Sequence, residues 1–338
     1  MAYIKGMLYM KKTLNDLKIK NSKYFDSIAE NTHFPFPFET NFISLLKETN
    51  VFPQEYFYLT NNESYAYFIL YKMKLNIFTF GKIKLNMNVK IVGIPCSISE
   101  NGYYTNNEKF MLEFIKTIKG PKLVLNVKKP VKTAGITVGT TLPTCILVNN
   151  FQSADEYLSS LRSSYKRRIK KAIKNCKDYS EVELKGNCPK SVYELYLRTY
   201  EKSLYKLEKL ETFFFDKIEA DKIIFSKDNI DLGFVLLKKH QDKLYFMFCG
   251  LNYNADTPDL YYYMLYKIII YAIRQKCKII DFGQTSEKTK LRMGAELSER
   301  YFYAHHSNIF LNFLIKINKR LLEYKCDLKK YHVFKEIQ

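Results

Sequence analysis

The chain has 338 residues, 47% of them hydrophobic, which is enough for one large core or two cores of ordinary domain size. It has no run of about 18 uncharged apolar residues, and its N-terminus (MAYIKGMLYMKK) carries lysines and no small-residue cleavage signal. These features argue against a transmembrane helix and an export signal, so we expect a cytoplasmic protein.

The formal net charge of +20 favours a polyanionic partner such as a nucleic acid, a phosphate-containing coenzyme or an anionic membrane face. Charge alone does not choose among these partners, and a surface rich in Lys, Asn, Ile and Tyr accounts for the excess equally well. The seven cysteines are scattered and never form the close pairs typical of zinc sites or redox dithiols. We therefore expect reduced and mostly buried cysteines.

The first half of the chain predicts a lobe with the order α, β, β, β, α, β. A helix (NFISLLKETN) precedes two strands (EYFYLT and YAYFILYKM) that are separated by the turn signal Asn61-Asn62. A third strand (VKIVGIP), a polar loop (SENGYYTNN), a helix ending on Gly120 and a further strand (KLVLNV) complete it.

The second half repeats this outline and suggests a duplication. After a strand (TLPTCILV), Ser153 and Glu156 have the spacing of a capping box and predict one long amphipathic helix through Asn175. A second helix, a hairpin around Gln241-Asp242, a third helix (LYYYMLYKIIIYAIRQK) and two strands (KIIDFG and ERYFYAHH) follow.

The densest charged feature is the stretch RSSYKRRIKKAIKNCK, which contains eight basic residues and no acidic one. A helix with this face suits the phosphates of RNA, of a coenzyme or of lipid headgroups, and it equally suits simple solvation. Only Tyr165 supplies an aromatic ring there, so stacking on single-stranded nucleic acid has little support.

Two further segments contain candidate site residues. Asp256, Thr257 and Pro258 stand just before a predicted helix, where free backbone N–H groups attract an anion or where the same residues simply cap the helix. In IIDFGQTSEKTKLRMGAELSER, a buried-looking strand ends on Asp281 and runs into a polar segment with Lys290.

This last segment resembles the C-terminal signature of the Fem-type peptidoglycan aminoacyltransferases, which have a Gcn5-related (GNAT) fold. The family's D-F-G strand end matches Asp281–Gly283, and its K-L-x-x-G segment matches Lys290–Gly294. Its R-x-I-x-K-A junction helix also matches, at Arg167, Ile169, Lys171 and Ala172.

The resemblance covers residues 30–312 and implies a mixed α/β (α+β) fold of two tandem GNAT-like lobes, each a mostly antiparallel sheet flanked by helices. It divides the chain into an N-terminal extension (1–29), a first lobe (30–150), a second lobe with the active site (151–312) and a basic amphipathic C-terminal helix (313–338).

The resemblance also implies transfer of an acyl or aminoacyl group from acyl-CoA or aminoacyl-tRNA to an amine, in cell-wall or conjugate biosynthesis, with no permanently bound cofactor. Asp281 is the candidate base or orienting group, and Lys290 the candidate cation for an oxyanion or a donor phosphate. The candidate residues for binding the donor or acceptor are Arg167, Arg168, Thr257, Gly283 and Arg292. Simpler roles stay open, because Asp281 suits a turn cap and Lys290 a solvated loop.

The sequence departs from the family in two places. The usual GNAT pyrophosphate loop is absent from NADTPDLYYYM, which argues against acetyl-CoA, and the spacing from Tyr179 to Gly233 leaves no room for a long helical hairpin, which weakens the case for tRNA. The alternative is a non-catalytic binder of RNA or anionic surfaces on the same fold. A peripheral membrane enzyme with a lipid-linked acceptor also stays open.

Other sites have less support. The five histidines form no H-E-x-x-H motif, so we expect no metal site, and hydrolase, P-loop and dinucleotide motifs are absent. The C-terminal stretch FLNFLIKINKRLLEYK combines apolar and basic positions. It suits docking on its own protein or contact with an anionic membrane, and we favour docking.

Overall fold

The structure, a computed structural model, describes residues 35–61, 63–81, 84–326, 328 and 330–336. The expected N-terminal extension at 1–29 and Asn62 of the predicted turn lie outside the described residues. The described α-helices are α1 (Thr40–Thr49), α2 (Glu108–Thr117), α3 (Ala154–Ser160), α4 (Ser163–Asn175), α5 (Lys190–Lys202), α6 (Thr212–Lys217), α7 (Leu260–Arg274), α8 (Glu287–Leu291) and α9 (Ile309–Ile317).

The described strands include all those that the sequence predicted, together with short ones that it did not. They are β1 (Gln54–Thr60), β2 (Tyr65–Asn76), β3 (Asn86–Val92), β4 (Tyr103–Thr105), β5 (Pro121–Val127), β6 (Thr137–Val148), β7 (Ser180–Leu184), β8 (Asp221–Lys227), β9 (Ile230–His240), β10 (Lys243–Leu251), β11 (Ile279–Asp281) and β12 (Glu296–His306). The predicted polar loop SENGYYTNN contains β4, which pairs with β2.

The chain forms two compact units. Of the described residues, those in 35–142 and 299–326 form unit 1, and those in 143–298 and 328–336 form unit 2. The sequence instead predicted a boundary after residue 150, with residues 299–312 in the second lobe. The divisions differ because they fall inside β6 and β12, and a strand interior carries no linker-like composition.

Unit 1 is built on a mixed sheet. β1, β2 and β3 pair antiparallel in sequence order, β3 pairs in parallel with β5, and β5 pairs antiparallel with β12. Alternate residues of these strands pack against the apolar side of α2, where Met111, Leu112 and Ile115 are buried. Asn107 caps α2 by accepting a hydrogen bond from the Phe110 N–H at 3.1 Å.

Unit 2 is also a mixed sheet with helices against it. β7, β8, β9 and β10 pair antiparallel in order, β10 pairs in parallel with β11, and β11 pairs antiparallel with β6. The core joins these strands to α4 and α7, and its fully buried residues include Ile169, Ala172, Met264 and Ile268.

The predicted long helix from Ser153 to Asn175 is two helices, and that prediction was wrong. Ser153 does cap α3, since its hydroxyl accepts from the Glu156 N–H at 3.1 Å. The chain then becomes extended at Leu161, which forms a β-bridge with Phe334, and the Arg162 N–H donates to the Val333 carbonyl at 2.9 Å. A hydrogen-bonded partner more than 160 residues away in the sequence therefore interrupts the helical pattern.

The predicted C-terminal helix over 313–338 is shorter and begins earlier. α9 covers Ile309–Ile317, a 3-10 turn covers Lys319–Leu321, and the described residues from Leu322 onward contain no helix. Asn308 supplies the start signal, because its side chain accepts a hydrogen bond from the Leu311 N–H at 3.1 Å.

Candidate functional site

A short parallel strand pair lies at the centre of unit 2. β11 pairs with β10 at three positions, Lys243–Tyr245 against Ile279–Asp281. β11 then ends, whereas β10 continues to Leu251 and stays paired with β9 through a register shift between Phe246 and Phe248. Among the described residues, β10 therefore has no parallel partner after Tyr245. It is also bulged at the same place, a feature that often redirects side chains next to active sites.

Asp281, the last residue of β11, is 2% exposed and is bonded through both carboxylate oxygens. The Thr144 hydroxyl donates to its Oδ1 at 2.6 Å and the Gly283 N–H donates to the same atom at 2.9 Å. The Lys243 ammonium lies 2.9 Å from its Oδ2. This carboxylate therefore ties β6, β10 and the chain after β11 together, as an orienting group would.

Gly283 and Lys290 shape the loop between β11 and α8. Gly283 has φ +70, a left-handed conformation that glycine adopts without strain. The Lys290 ammonium donates to the carbonyls of Gly283 at 3.2 Å and Gln284 at 2.7 Å, and the residue is 2% exposed. Burial lowers the pKa of Lys290, and the neighbouring Cys145, Cys249, Glu287 and Asp281 oppose that shift.

Cys249, Tyr261 and Ser286 lie near the part of β10 that follows its parallel pairing with β11. The thiol of Cys249 lies on β10, and burial raises its pKa to about 11 against the opposing charge of Lys290. The hydroxyl of Tyr261, on α7, shares a hydrogen bond with Ser286, and burial raises its pKa well above the ordinary value. Both groups therefore keep their protons at neutral pH, so Cys249 is not a thiolate and Tyr261 is a hydrogen-bond donor.

A shallow cavity of about 340 Å³ lies at the end of β10. Its lining residues are Arg198, Glu201, Lys202, Tyr253 and Asn254. The ammonium of Lys202 sits 3.8 Å from the centre of the Tyr253 ring, and Arg198 donates to the Asn252 side chain at 2.6 Å. The last turns of α5 thus place two cations beside the loop that follows β10.

Arg168 and Arg292 both contact the side chain of Tyr262. The Arg168 guanidinium lies 4.3 Å from the centre of the Tyr262 ring and forms an ion pair with the buried Asp259. Arg292 hydrogen-bonds the Tyr262 side chain, which raises the pKa of that guanidinium, and it also lies 5.6 Å from the ring of Tyr331. The structure therefore joins α4, α7 and the segment after α8 through two arginines.

Thr257 and Arg167 are the remaining two residues that the sequence predicted. Thr257 lies in the turn before α7, where its carbonyl accepts from the Leu260 N–H at 3.2 Å, because the helix begins at Leu260. Arg167 is exposed on α4 together with Lys170, Lys171 and Lys174. The exposed face of α4 is thus strongly basic.

Sequence reasoning missed several residues of this region, namely Thr144, Lys243, Tyr261, Cys249, Arg198 and Lys202. Lys243 follows the predicted turn Gln241-Asp242 and Thr144 lies in a predicted strand, so both elements were visible. Their contact with Asp281 depends on β10 and β6 flanking β11, which no local pattern encodes.

The described residues hold no cluster of three or more His, Cys, Asp and Glu side chains suited to a metal ion. None of the helices described in the structure is both long and apolar enough to cross a membrane.

Comparison with known proteins relates the chain to solved structures alone. No protein-family model matches it, and no curated protein sequence matches it. The structure of L-PGS from Bacillus licheniformis is 10% identical, with a TM-score of 0.52 over 90% of this chain and 98% of that one.

Two further structures are similar over most of their length. FemX is 14% identical, with a TM-score of 0.49 over 82% of this chain and 93% of that one. A tandem GNAT protein from the clavulanic acid biosynthesis pathway is 9% identical, with a TM-score of 0.49 over 84% of this chain and 94% of that one.

The predicted resemblance and fold class are confirmed. With mixed strand pairing and flanking helices in each unit, and with its likeness to L-PGS over nearly the whole of both chains, the chain has the predicted mixed α/β fold and shares the fold of L-PGS.

Proposed function

We propose that the protein transfers an acyl or aminoacyl group from an activated donor to an amine, and that unit 2 carries the site. The observation that supports this most is the end of β11 at Asp281, which leaves β10 from Phe246 to Leu251 without a parallel partner beside the protonated Tyr261. The carbonyl oxygen of an acyl donor can accept a hydrogen bond from a backbone N–H of this segment, because the described strands pair with it there only through β9. The Leu251 N–H is not available for this, since it donates to the Thr199 hydroxyl at 3.1 Å.

In the proposed reaction, the neutral amine attacks the acyl carbonyl of the donor. A C–N bond forms, and the C–S bond of a thioester or the C–O bond of an ester breaks. The amine proton leaves to water, and the departing sulfur or oxygen takes up a proton. Tyr261 donates a hydrogen bond to the negative charge that develops during the attack.

Asp281 and Lys290 act in this proposal as positioning residues. Both oxygens of Asp281 already accept bonds, which favours its orienting role over a role as base. The buried ammonium of Lys290 donates hydrogen bonds to the carbonyls of Gly283 and Gln284. In this proposal Lys290 therefore positions the loop that carries Ser286 and does not bind a donor phosphate. Gly283 supplies the turn between them.

The donor in this proposal is acyl-CoA or aminoacyl-tRNA, used as a substrate. Arg198 and Lys202 line the cavity at the end of β10, and the basic face of α4 with Arg167 offers a longer surface for phosphates. Arg168, Arg292 and Thr257 belong to the proposed binding surface around the start of α7. Cytoplasmic location and a cell-wall or conjugate pathway remain predictions from the sequence.

The test is a transfer assay with the variant Tyr261→Phe, using a panel of acyl-CoA thioesters and aminoacyl-tRNAs with small amines. Loss of one hydrogen bond to the developing charge typically lowers the turnover rate by about 10²-fold, which is the expected result. Tyr266→Phe, on the same helix, is the matched control and should retain turnover. Equal rates for both variants would remove Tyr261 from the mechanism.

The rival function is a non-catalytic binder of RNA on the same fold, which the exposed basic face of α4 supports. It predicts RNA binding that falls steeply with salt and no transfer with any donor. The triple variant Lys170→Glu, Lys171→Glu, Lys174→Glu should then abolish binding. A transferase that uses acyl-CoA would keep its turnover in this variant.

A further inference from the structure

Helix α9 turns its apolar side toward solvent. Side chains at 309, 310, 313 and 317 form one stripe at helical spacing, and Ile309 is 88%, Phe310 67%, Phe313 55% and Ile317 57% exposed. The helix has no buried residue at all. The predicted docking of this stretch on its own protein was therefore wrong for these side chains.

One polar residue fastens α9 to unit 1. The amide of Asn312 donates to the Gly135 carbonyl at 2.8 Å, and its oxygen accepts from the His306 N–H at 2.9 Å. At 100° per residue, the exposed side chains at 309, 310, 313 and 317 fall within an arc of about 100° on one side of the helix. Asn312, Leu314 and Ile315, which lie outside this arc, are half-buried. The helix therefore leaves a large apolar stripe in solvent, whereas an ordinary surface helix packs such a stripe on the core.

Basic residues accompany the exposed stripe. Between Ile309 and Lys325 the chain has four basic residues and one acidic residue. Lys316 and Arg320 are exposed. The one acidic residue of this stretch is Glu323, and its carboxylate lies 3.4 Å from the Lys319 ammonium. The surface therefore combines aromatic and aliphatic groups with positive charge, a combination that suits the boundary between acyl chains and anionic headgroups.

We propose that α9 and the 3-10 turn after it bind the surface of an anionic lipid bilayer, with Ile309, Phe310, Phe313 and Ile317 entering the headgroup boundary. The basic residues bind lipid phosphates. A second copy of the chain is a poorer occupant, because a stable dimer needs about 800 Å² and about 20 residues per partner, far more than this nine-residue helix presents. Two copies would also bring like charges together.

The experiment is co-sedimentation of the full chain with vesicles of phosphatidylcholine, alone or with about one third phosphatidylserine. Binding is expected only to the anionic vesicles and should weaken at high salt. The double variant Phe310→Ser, Phe313→Ser should weaken partitioning about tenfold or more, because two phenyl rings no longer leave water. Lys316→Glu with Arg320→Glu should weaken it as well.

Matched control variants test whether vesicle binding depends on α9 or on exposed apolar and charged residues anywhere on the protein surface. Ile230→Asn changes the same residue type at the same 57% exposure as Ile317→Asn, so only the latter should weaken vesicle binding. Lys47→Glu with Lys109→Glu alters the net charge as much as the α9 charge variant and should leave binding largely intact.

Three results would overturn the proposal: no binding of the wild-type chain to anionic vesicles at low salt, binding that appears only after removal of residues 1–34, or a wild-type dimer that the Phe310 and Phe313 changes convert to a monomer. Circular dichroism and turnover of the variants show whether they remain folded.

Discussion

At the scale of single residues, the K-L-x-x-G segment at Lys290–Gly294 mainly contributes packing contacts and hydrogen bonds. Gly294 has φ +97, and a Cβ at this position would lie 2.2 Å from the Phe334 ring. Tyr157, which is fully buried, donates to the neighbouring Met293 carbonyl at 2.9 Å. Gly294 of this segment therefore packs against Phe334, and Lys290 hydrogen-bonds the loop between β11 and α8.

Gly294→Ala should lower the melting temperature more than Gly135→Ala does. Both glycines have positive φ, at +97 and +78, and the strain on an alanine there costs about 1–3 kcal/mol. Only at position 294 does the added methyl group also displace Phe334, since nothing lies within 4 Å at position 135. Thermal unfolding of the two variants checks this, and equal melting temperatures would contradict it.

His305 should make the stability of the protein depend on pH. Burial, followed by the charges of Lys122, Lys116 and His306, lowers the pKa of His305 from 6.5 to about 4. The unfolded chain therefore binds a proton that the folded chain does not between these pH values. This residue's contribution to stability is therefore present above about pH 6.5 and is lost as the pH drops toward about 4.

The measurement is urea unfolding of the wild type and His305→Gln at pH 7 and pH 5. The variant should lose less stability between the two pH values, because it lacks the titrating ring. His240→Gln serves as the control and should follow the wild type. If the His305 variant and the wild type lose the same amount, His305 is not protected from protonation.

At the scale of elements, the extended chain between α3 and α4 shows how a distant segment sets helix ends. Val333 is 3% exposed, and Phe334 packs against Phe151 with ring centres 5.7 Å apart. The Lys335 N–H donates to the Ser160 carbonyl at 2.8 Å, which occupies a carbonyl at the end of α3. The C-terminal segment is thus part of the unit 2 core.

Ending the chain after Lys330 should lower the melting temperature by several degrees, because Val333 and Phe334 leave the core. Ending it after Lys335 should have little effect. Among the described residues, that shorter truncation removes only Glu336. Its exposed ion pair with Arg162 has atoms 3.2 Å apart, and exposed pairs contribute at most about 1 kcal/mol. Similar losses in both truncations would argue against the packing role of Phe334.

At the scale of the whole molecule, the net charge of +20 would attract any polyanion, whereas the proposed transfer site would bind one particular donor. A ligand that binds only the folded chain raises its melting temperature, by an amount equivalent to about 2.7 kcal/mol at a hundred times its dissociation constant. Acyl-CoA, free CoA and tRNA can therefore be compared directly.

We expect a rise with either an acyl-CoA or tRNA that persists at about 0.3 M salt, where contacts between exposed charges are largely screened. A rise seen only at low salt with every polyanion, including heparin, would mean that the charge alone attracts these ligands. A rise with acyl-CoA but not with free CoA would place the acyl group itself in the binding site.

Local patterns were enough to predict most elements of this protein and its resemblance to a fold. The apolar runs of β2 and β9, the cap at Ser153 and the D-F-G strand end depend on neighbours within a few residues, so they can be read in sequence order. The resemblance brought Asp281, Gly283 and Lys290 into one group, and the structure places these three together.

Only the tertiary structure decided which partners these residues meet. The pairing of β11 with both β10 and β6 brings Lys243 and Thr144 to Asp281, and the bridge to Phe334 splits the predicted long helix at Leu161. The stripe of α9 has the same periodicity whether it faces the core or solvent, and only the folded structure shows that Ile309, Phe310, Phe313 and Ile317 are exposed. Contacts between residues far apart in the chain leave no local pattern, because their energy depends on positions that exist only after folding.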